Sequence, residues 1–386
     1  MLTTIISFII LLGILVFFHE LGHYWVARRN GIEVEEFGLG YPPRLVKLFT
    51  YNGTDFTLNA LPLGGFARMK GEDASDMASG SFNAASRGAR AATLIAGPLM
   101  NAFLAIFLFA ASFMSGFPAE VAYGQLTAID AGSAPATAGL QAGDIVLAVD
   151  GKPALISAIP DFEYNVLERS QDAVTPTGTI EISRDGAVME LPYDGSIKPA
   201  ELQNGAENII VLTTQILMTA PDSPAELAGL QAGDLVYAVD DTVITPSNTL
   251  NSVIQTKLGQ EVTMTLLRGE EWVEIAVTPR ANPPAGEGAL GVQISSLKSL
   301  ATLPPLRALW RGAQSTWEYV GLVLQLPIML IMGSLSPADA QLSGPVGIAQ
   351  MVGGAVSATL DTGLWFPIFS LSAVLSAALA ITNLLP

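Results

Sequence analysis

Three long apolar runs without a charged side chain constrain this chain more than any other feature of its sequence. They cover residues 4–18, 93–117 and 363–386. A hydrocarbon core about 30 Å thick requires about 20 apolar helical residues, and the first run reaches that length once residues 19–26 are added. We therefore predict a membrane protein with an α-helical transmembrane core of at least three spans: residues 1–28, 93–117 and an incomplete third span at 363–386.

The first run does not have the pattern of a signal peptide, because no Lys or Arg precedes it and no small-residue cleavage site follows it. We expect it to be retained as a helix. A fourth apolar stretch, residues 319–335, is short, contains Pro327 and follows an amphipathic stretch at residues 306–317. It fits either a further span or a helix on the membrane surface, within a predicted linker of such helices at residues 283–362.

Basic residues cluster between the first two spans and predict the orientation of the chain. The positive-inside rule places residues 29–92 in the cytoplasm, the N-terminus outside and residues 118–300 outside. No Lys or Arg follows Arg311, so residues 336–362 fit the outer side too, which favours the surface helix over the further span. Eight of the 18 basic residues lie in the cytoplasmic segment or at its edge: Arg28, Arg29, Arg44, Lys47, Arg68, Lys70, Arg87 and Arg90.

Composition excludes two classes of function. The net charge is −17, whereas nucleic-acid binding requires an excess of Lys and Arg. The chain has no cysteine, so it has neither disulfides nor thiolate metal ligands. We therefore expect no nucleic-acid partner and no thiolate metal site.

An internal repeat lies in the predicted external segment. Two copies of the sequence GLQAGD begin at Gly139 and Gly229, 90 positions apart. Before each copy a proline-containing segment predicts a short helix that the Gly-Leu pair ends. After each copy an alternating pattern predicts a strand, at Ile145–Val149 and at Leu235–Val239.

The repeated pattern A-G-L-x-x-G-D-x-I resembles that of PDZ domains. Its two occurrences predict two extracytoplasmic PDZ-like α/β domains inserted into the membrane core, at residues 118–206 and 207–282. The alternative is a generic β-rich module of another fold.

The only two histidines of the chain form the sequence His19-Glu20-Leu21-Gly22-His23, an H-E-x-x-H motif. On a helix, positions i and i+4 share one face, so both imidazoles reach a single ion. Zinc accepts such ligands and lowers the pKa of its bound water, and Glu20 is placed to take the proton of that water. The motif predicts a zinc hydrolase. The alternative, incidental polar residues at a helix end, leaves three ionisable groups beside an apolar run without a purpose. A metal transporter is disfavoured, because no relay of polar groups crosses the predicted spans.

Several segments together resemble the site-2 protease family of intramembrane zinc proteases, in its bacterial RseP-type branch with tandem PDZ domains. The motif with its flanks, F-F-H-E-L-G-H-Y, is similar to the first catalytic helix of that family. The other similar segments follow in the family's order to the end of the chain. They are Asn59–Gly71, Gly97–Asn101 (G-P-L-M-N), Ser343–Ala349 (S-G-P-V-G-I-A) and Asn383–Pro386 (N-L-L-P).

The resemblance implies a multi-pass protein of the bacterial inner membrane that uses Zn²⁺ to cleave single-span membrane proteins, such as anti-sigma factors trimmed outside and remnant signal peptides. It assigns His19 and His23 to the metal and Glu20 to catalysis. It implies that Asn101 holds substrate or stabilises the reacting carbonyl. It also implies that Asn59, Gly64 and Gly65 belong to a membrane-entering β-hairpin beside which the substrate adds as a strand. The PDZ-like domains are expected either to exclude bulky substrates or to bind a peptide C-terminus.

One part of the family pattern is missing. The family's third zinc ligand is an aspartate in an L-D-G motif that follows N-x-x-P, and this sequence stops at Pro386, before that motif. We expect the sequence to be a fragment of a longer protein. The alternative hypothesis is a catalytically inactive, membrane-anchored PDZ scaffold that lacks the third ligand.

Overall fold

A computed structural model describes residues 2–72, 76–157, 177–194, 205–332 and 344–384. Parts of the first predicted PDZ-like domain and of the predicted external loop at 336–362 lie outside these ranges, as do Ser343, Leu385 and Pro386. The chain divides into two compact units. One consists of Met1–Phe117 with Thr302–Pro386, and the other of Pro118–Ala301. We call them the helical unit and the repeat unit.

The described residues form eight helices and sixteen strands. The helices are α1 (Leu2–Arg29), α2 (Arg87–Ser115), α3 (Ala134–Thr137), α4 (Pro224–Ala228), α5 (Leu250–Gln255), α6 (Pro305–Ile331), α7 (Pro345–Thr362) and α8 (Phe366–Thr382). The strands are β1 (Val34–Tyr51), β2 (Thr54–Met69), β3 (Phe117–Ile129), β4 (Ile145–Val149), β5 (Lys152–Pro153), β6 (Leu155–Ser157), β7 (Thr177–Arg184), β8 (Ala187–Asp194), β9 (Ala206–Val211), β10 (Thr214–Thr219), β11 (Leu235–Val239), β12 (Thr242–Val243), β13 (Val262–Arg268), β14 (Glu271–Val277), β15 (Val292–Ser296) and β16 (Lys298–Ala301).

Two helices of the helical unit, α1 and α2, are long and apolar enough to cross a membrane. The third predicted span contains α8, which is shorter at 17 residues. Helix α2 begins six residues before the predicted span, because the Ser86 hydroxyl accepts a hydrogen bond from the backbone N–H of Ala89 and caps a polar first turn. The predicted span leaves this turn out because the turn contains Arg87 and Arg90.

Glycines set the close approach of the helices. A Cβ added at Gly22 in α1 would lie 2.9 Å from the backbone carbon of Ala96 and from Cβ of Met100, both in α2. A Cβ at Gly312 in α6 would lie 2.5 Å from the carbonyl oxygen of Ile106 in α2. Each glycine therefore allows two backbones to approach more closely than any side chain would permit.

Helix α6 contains the amphipathic stretch and the first part of the apolar stretch predicted at 319–335. It is one helix of 27 residues, from Pro305 to Ile331. Pro327 removes one backbone donor and does not end the helix. Residues 345–362 form α7, which packs against α1 and α8, and a Cβ at Gly353 in α7 would lie 2.6 Å from the side chain of Thr4.

The hairpin of β1 and β2 follows α1. Its partners along the chain show a double pairing, because Phe37 pairs with both Ala67 and Phe56. The first part of β1 thus lies between the two parts of β2. Phe37 is buried against the Tyr24 ring of α1, whereas residues 41–51 form an exposed arm.

The repeat unit contains two sheets with the same strand order. The second sheet runs β14-β13-β11-β10-β15, and the first contains the corresponding path β8-β7-β4-β3 with β9 on β3. The predicted strands at Ile145–Val149 and Leu235–Val239 are confirmed, as are the short helices before them. The sequence repeat is therefore a structural repeat.

The two repeats pack against each other through an apolar cluster that includes Leu147, Leu212 and Leu267. Two hydrogen bonds join the repeats at this cluster. Trp272 Nε1 donates to Ser183 Oγ at 2.8 Å, and the Tyr237 hydroxyl donates to Gln125 Oε1 at 3.2 Å. A shared core of this kind makes the repeats one compact body.

Candidate metal and peptidase site

The two histidines of α1 face a common point. His19 and His23 are one turn apart, and their Nε2 atoms lie 3.1 Å from each other. Two nitrogens about 2.0–2.1 Å from a tetrahedral zinc ion are about 3.3 Å apart, so this separation fits two ligands of one ion. The helical period alone brings the two rings together, as the motif predicts.

Hydrogen bonds on the far sides of the rings orient them. His23 Nδ1 lies 2.7 Å from the carbonyl oxygen of Thr93 in α2 and donates to it. A neutral imidazole that donates from Nδ1 carries its lone pair on Nε2, which is the form that binds a metal. His19 Nδ1 lies 3.2 Å from the side-chain amide of Asn101, which is fully buried. Both rings therefore rest against α2.

The residues fit zinc through two protein ligands. Among the residues that the structure describes, no group of three His, Cys, Asp or Glu side chains surrounds a common point. His19 and His23 would hold the ion.

Glu20 lies between α1 and the hairpin. Its carboxylate lies beside the backbone of Ala67 in β2. A Cβ added at Gly65 would lie 3.6 Å from Glu20 Cγ, and Gly64 has a φ of 134°, which favours glycine. The second part of β2 thus passes directly beside Glu20, and a side chain at residue 65 would take up space next to the carboxylate.

This part of β2 is a strand edge. Within the described residues, β1 and β2 pair only with each other. Gly65 and Ala67 are two residues apart in β2, so their backbone N–H groups point to the same side of the strand. Backbone groups on this edge are therefore available to an extended peptide beside Glu20.

Asn59 is not brought to the histidines. It is buried at 4% exposure, and its Nδ2 donates to the carbonyl oxygen of Gly40 at 3.1 Å. A Cβ at Gly38 would meet both the Phe66 ring and Asn59 Nδ2, so these two side chains share one face of the hairpin. Gly65 precedes Phe66 and faces Glu20, so Asn59 lies on the opposite face.

Sequence reasoning missed two contributors to the site. Thr93 acts through its backbone carbonyl, which leaves no signal in the sequence. Ser376 in α8 donates from Oγ to the carbonyl oxygen of Asn101 at 2.8 Å and so fixes the turn that carries the amide. Ser376 is one of three serines in α8, and the sequence does not show which of them contacts α2.

Comparisons with known proteins agree with the motif. Residues 7–386 match the family model described as peptidase family M50. The regulator of sigma-E protease RseP from Escherichia coli K12 is 28% identical over 403 residues, which cover 98% of this chain and 86% of the relative. A putative zinc metalloprotease from Xylella fastidiosa 9a5c is 30% identical over 413 residues, which cover 98% and 86%. Among solved structures, the PDZ domain of an SdrC-like protein from Listeria monocytogenes is 22% identical and covers 21% of this chain and 86% of its own, with a TM-score of 0.19.

Proposed function

The chain belongs to peptidase family M50 and is a zinc metalloprotease of that family, and from this membership we propose that Glu20, His19 and His23 form its catalytic centre within the membrane. The observation that carries the proposal is the pair of Nε2 atoms 3.1 Å apart, next to a carboxylate on the same helix. The alternative of an inactive scaffold is not favoured, because the matched family is a peptidase family and several relatives are named metalloproteases.

The roles of the residues follow from their positions. A bound zinc ion supplies a Lewis acid and a water of lowered pKa. Glu20 holds and moves the proton: its carboxylate takes it from the attacking water and passes it to the leaving amine. That carboxylate lies beside the hairpin edge at Gly65 and Ala67, where the peptide bond to be cleaved is expected.

We propose single-span membrane proteins as the substrates. A transmembrane helix has its peptide groups bonded internally, so cleavage requires a short unwound segment whose backbone groups find new partners. The open edge of β2 at Gly65 offers such partners beside Glu20. Anti-sigma factors anchored in the membrane are the expected class, since the E. coli relative is named regulator of sigma-E protease RseP.

The repeat unit is assigned to substrate selection outside the membrane. Four basic residues in the segment between α1 and α2, and four more at the ends of these helices that adjoin it, support a cytoplasmic loop, and hence an extracytoplasmic repeat unit in a multi-pass protein of the inner membrane. The PDZ-like domains at 118–206 and 207–282 would exclude bulky substrates or bind peptide C-termini. We keep both roles.

The substitution Glu20→Gln tests the proposal. In full-length protein reconstituted in lipid, it should lower the cleavage rate of a model single-span substrate by at least about a thousandfold, because the amide cannot accept the proton. The bound zinc should be unchanged, as measured by atomic absorption. The matched control is Glu318→Gln, which changes an exposed carboxylate of α6 that pairs with Arg311. Cleavage by Glu20→Gln at the rate of this control would refute the assignment.

A further inference from the structure

One stripe of α2 faces both histidines. Thr93, Gly97 and Asn101 are spaced by four residues, so they lie on one side of the helix, and all three are buried. Thr93 receives the hydrogen bond of His23, and Asn101 contacts His19. Gly97 lies between them, opposite the gap between the two rings.

Gly97 faces the point where the two imidazoles converge. A Cβ added there would overlap His23 Nε2 and would lie 2.8 Å from His19 Nε2. These nearest atoms are the ends of the two rings and not backbone. A methyl group at this position would therefore take the space that a ligand of both nitrogens needs.

The other glycines at this helix pair behave differently. The Cβ of an alanine at Gly22 would meet the backbone of Ala96, so Gly22 serves the approach of the helices. A Cβ at Gly88 in the first turn of α2 would have no described atom within 4 Å. Only Gly97 among these three faces the ring nitrogens.

Asn101 has an incomplete set of hydrogen bonds. Its Oδ1 is buried and has no partner among the described residues, while its Nδ2 lies 3.2 Å from His19 Nδ1. The two ends of an amide are assigned from the hydrogen-bond network. With Oδ1 in the place of Nδ2, the amide oxygen accepts a hydrogen bond from His19 Nδ1–H. The lone pair of His19 then lies on Nε2. The hydrogen bond from His23 to the Thr93 carbonyl has the same effect on His23.

We propose that α2 supplies the second half of the metal site. Gly97 keeps the convergence point of the imidazoles clear of protein atoms, and Asn101 is a positioning residue that holds His19 in its metal-binding tautomer. In this role Asn101 acts on the metal ligand His19, whereas the family resemblance implies that Asn101 contacts the substrate. The inference rests on the proposed function only for the identity of the ion.

The substitution Gly97→Ala tests the role of the glycine, with Gly22→Ala and Gly88→Ala as matched variants. Zinc per chain is measured by atomic absorption, and thermal unfolding is measured with and without zinc. Gly97→Ala should unfold without zinc at the wild-type temperature or higher, because alanine favours the helix and the rings can rotate away. Its zinc content should fall from about one ion per chain to background, and zinc should no longer raise its unfolding temperature.

The matched variants separate metal clearance from helix packing. Gly22→Ala should lower the unfolding temperature without zinc, and Gly88→Ala should match the wild type in every measurement. Zinc bound by Gly97→Ala at the wild-type stoichiometry and affinity would overturn the inference. A drop in its zinc-free unfolding temperature as large as that of Gly22→Ala would overturn it too, because Gly97 would then be a packing glycine.

Two variants of Asn101 test the positioning role. Asn101→Leu removes the acceptor and should weaken zinc binding by about 10–100-fold. Asn101→Asp keeps an acceptor oxygen and should bind zinc within a few-fold of the wild type. Wild-type zinc affinity in Asn101→Leu would overturn this part. Because the readout is bound zinc, a protein whose zinc binding depends on Gly97 and that cleaves no substrate would refute the proposed function alone.

Discussion

The two units use buried polar groups in opposite ways. In the repeat unit, Asp144 and Asp234 are fully buried, and an arginine guanidinium and a backbone N–H donate to each of them. In the helical unit, Asn101 is equally buried, yet its Oδ1 has no partner among the described residues. The Nε2 atoms of His19 and His23 face each other at 3.1 Å.

The difference teaches which polar groups serve the fold and which serve chemistry. A saturated buried carboxylate stabilises one arrangement of the chain and has no capacity left for a ligand. A binding site keeps polar atoms without protein partners, and a ligand then binds to these atoms. This arrangement lowers the local stability of the chain. By this criterion the Asp–Arg pairs are structural, and the contact surface of α1 with α2 is functional.

The largest effect on folding is expected from breaking an Asp–Arg pair. Arg268 donates from Nε and Nη2 to Asp234, and the same Nη2 also donates to the carbonyl oxygen of Gly229. Asp234→Asn should lower the free energy of unfolding of the repeat unit by about 3 kcal/mol, because it leaves a partly buried guanidinium without its counter-charge. Pulse proteolysis in a denaturant series measures this change.

A control and a second readout complete that experiment. Asp241→Asn alters an exposed carboxylate nearby and should change stability by less than about 0.5 kcal/mol. Zinc content should stay at the wild-type value in both variants. Loss of zinc in Asp234→Asn at temperatures where the protein is folded would contradict the division into structural and functional groups.

A smaller effect is expected from Glu36, which brings a saturated carboxylate into the helical unit. It is 3% exposed, and it is paired with Arg44 and Arg68 and hydrogen-bonded by the Thr57 hydroxyl. Glu36→Gln should destabilise the hairpin by about 1.5–3 kcal/mol, the range of a charged hydrogen bond. We expect a higher KM and an almost unchanged kcat at low temperature, since β2 carries the substrate edge and Glu20 carries the chemistry. A selective fall in kcat would place Glu36 among the functional groups instead.

The sequence predicted the local parts of this architecture and not the tertiary ones. The helical period is enough to place His19, Glu20 and His23, and the repeated GLQAGD sequence is enough to predict the strands after it. The sequence does not show which helix faces which. It therefore could not predict the contact of the Thr93 carbonyl with His23 or the open space opposite Gly97. The double pairing of β1 also depends on the folded chain. Asn101 was found by its polarity in an apolar span, but its neighbour His19, 82 residues away, appears only in the folded chain.

The smallest effect concerns a difference between the two repeats. Asp150 and Asp240 hold equivalent turns, since their Oδ1 atoms accept from the backbone N–H groups of Thr179 and Thr263. The remaining oxygen accepts from the Tyr193 hydroxyl in the first repeat and from Lys257 Nζ in the second. Equivalent positions thus use a neutral donor and a charged one.

The pH dependence of stability should separate these two donors. Burial, together with the bond to Asp150, raises the pKa of Tyr193 from 10.0 to about 12. The folded state therefore holds this proton more tightly than the unfolded state, so the stabilisation is complete below pH 10 and is lost between pH 10 and pH 12. Tyr193→Phe should have a shallower alkaline decline in unfolding temperature than the wild type. In the second repeat the Thr263 N–H and Lys257 lower the pKa of Asp240, so its contribution is lost on the acid side instead. If the unfolding temperature of Tyr193→Phe declined at alkaline pH as steeply as that of the wild type, Tyr193 would not be the cause of the decline. The proposed difference between the turns at Asp150 and Asp240 would then be wrong.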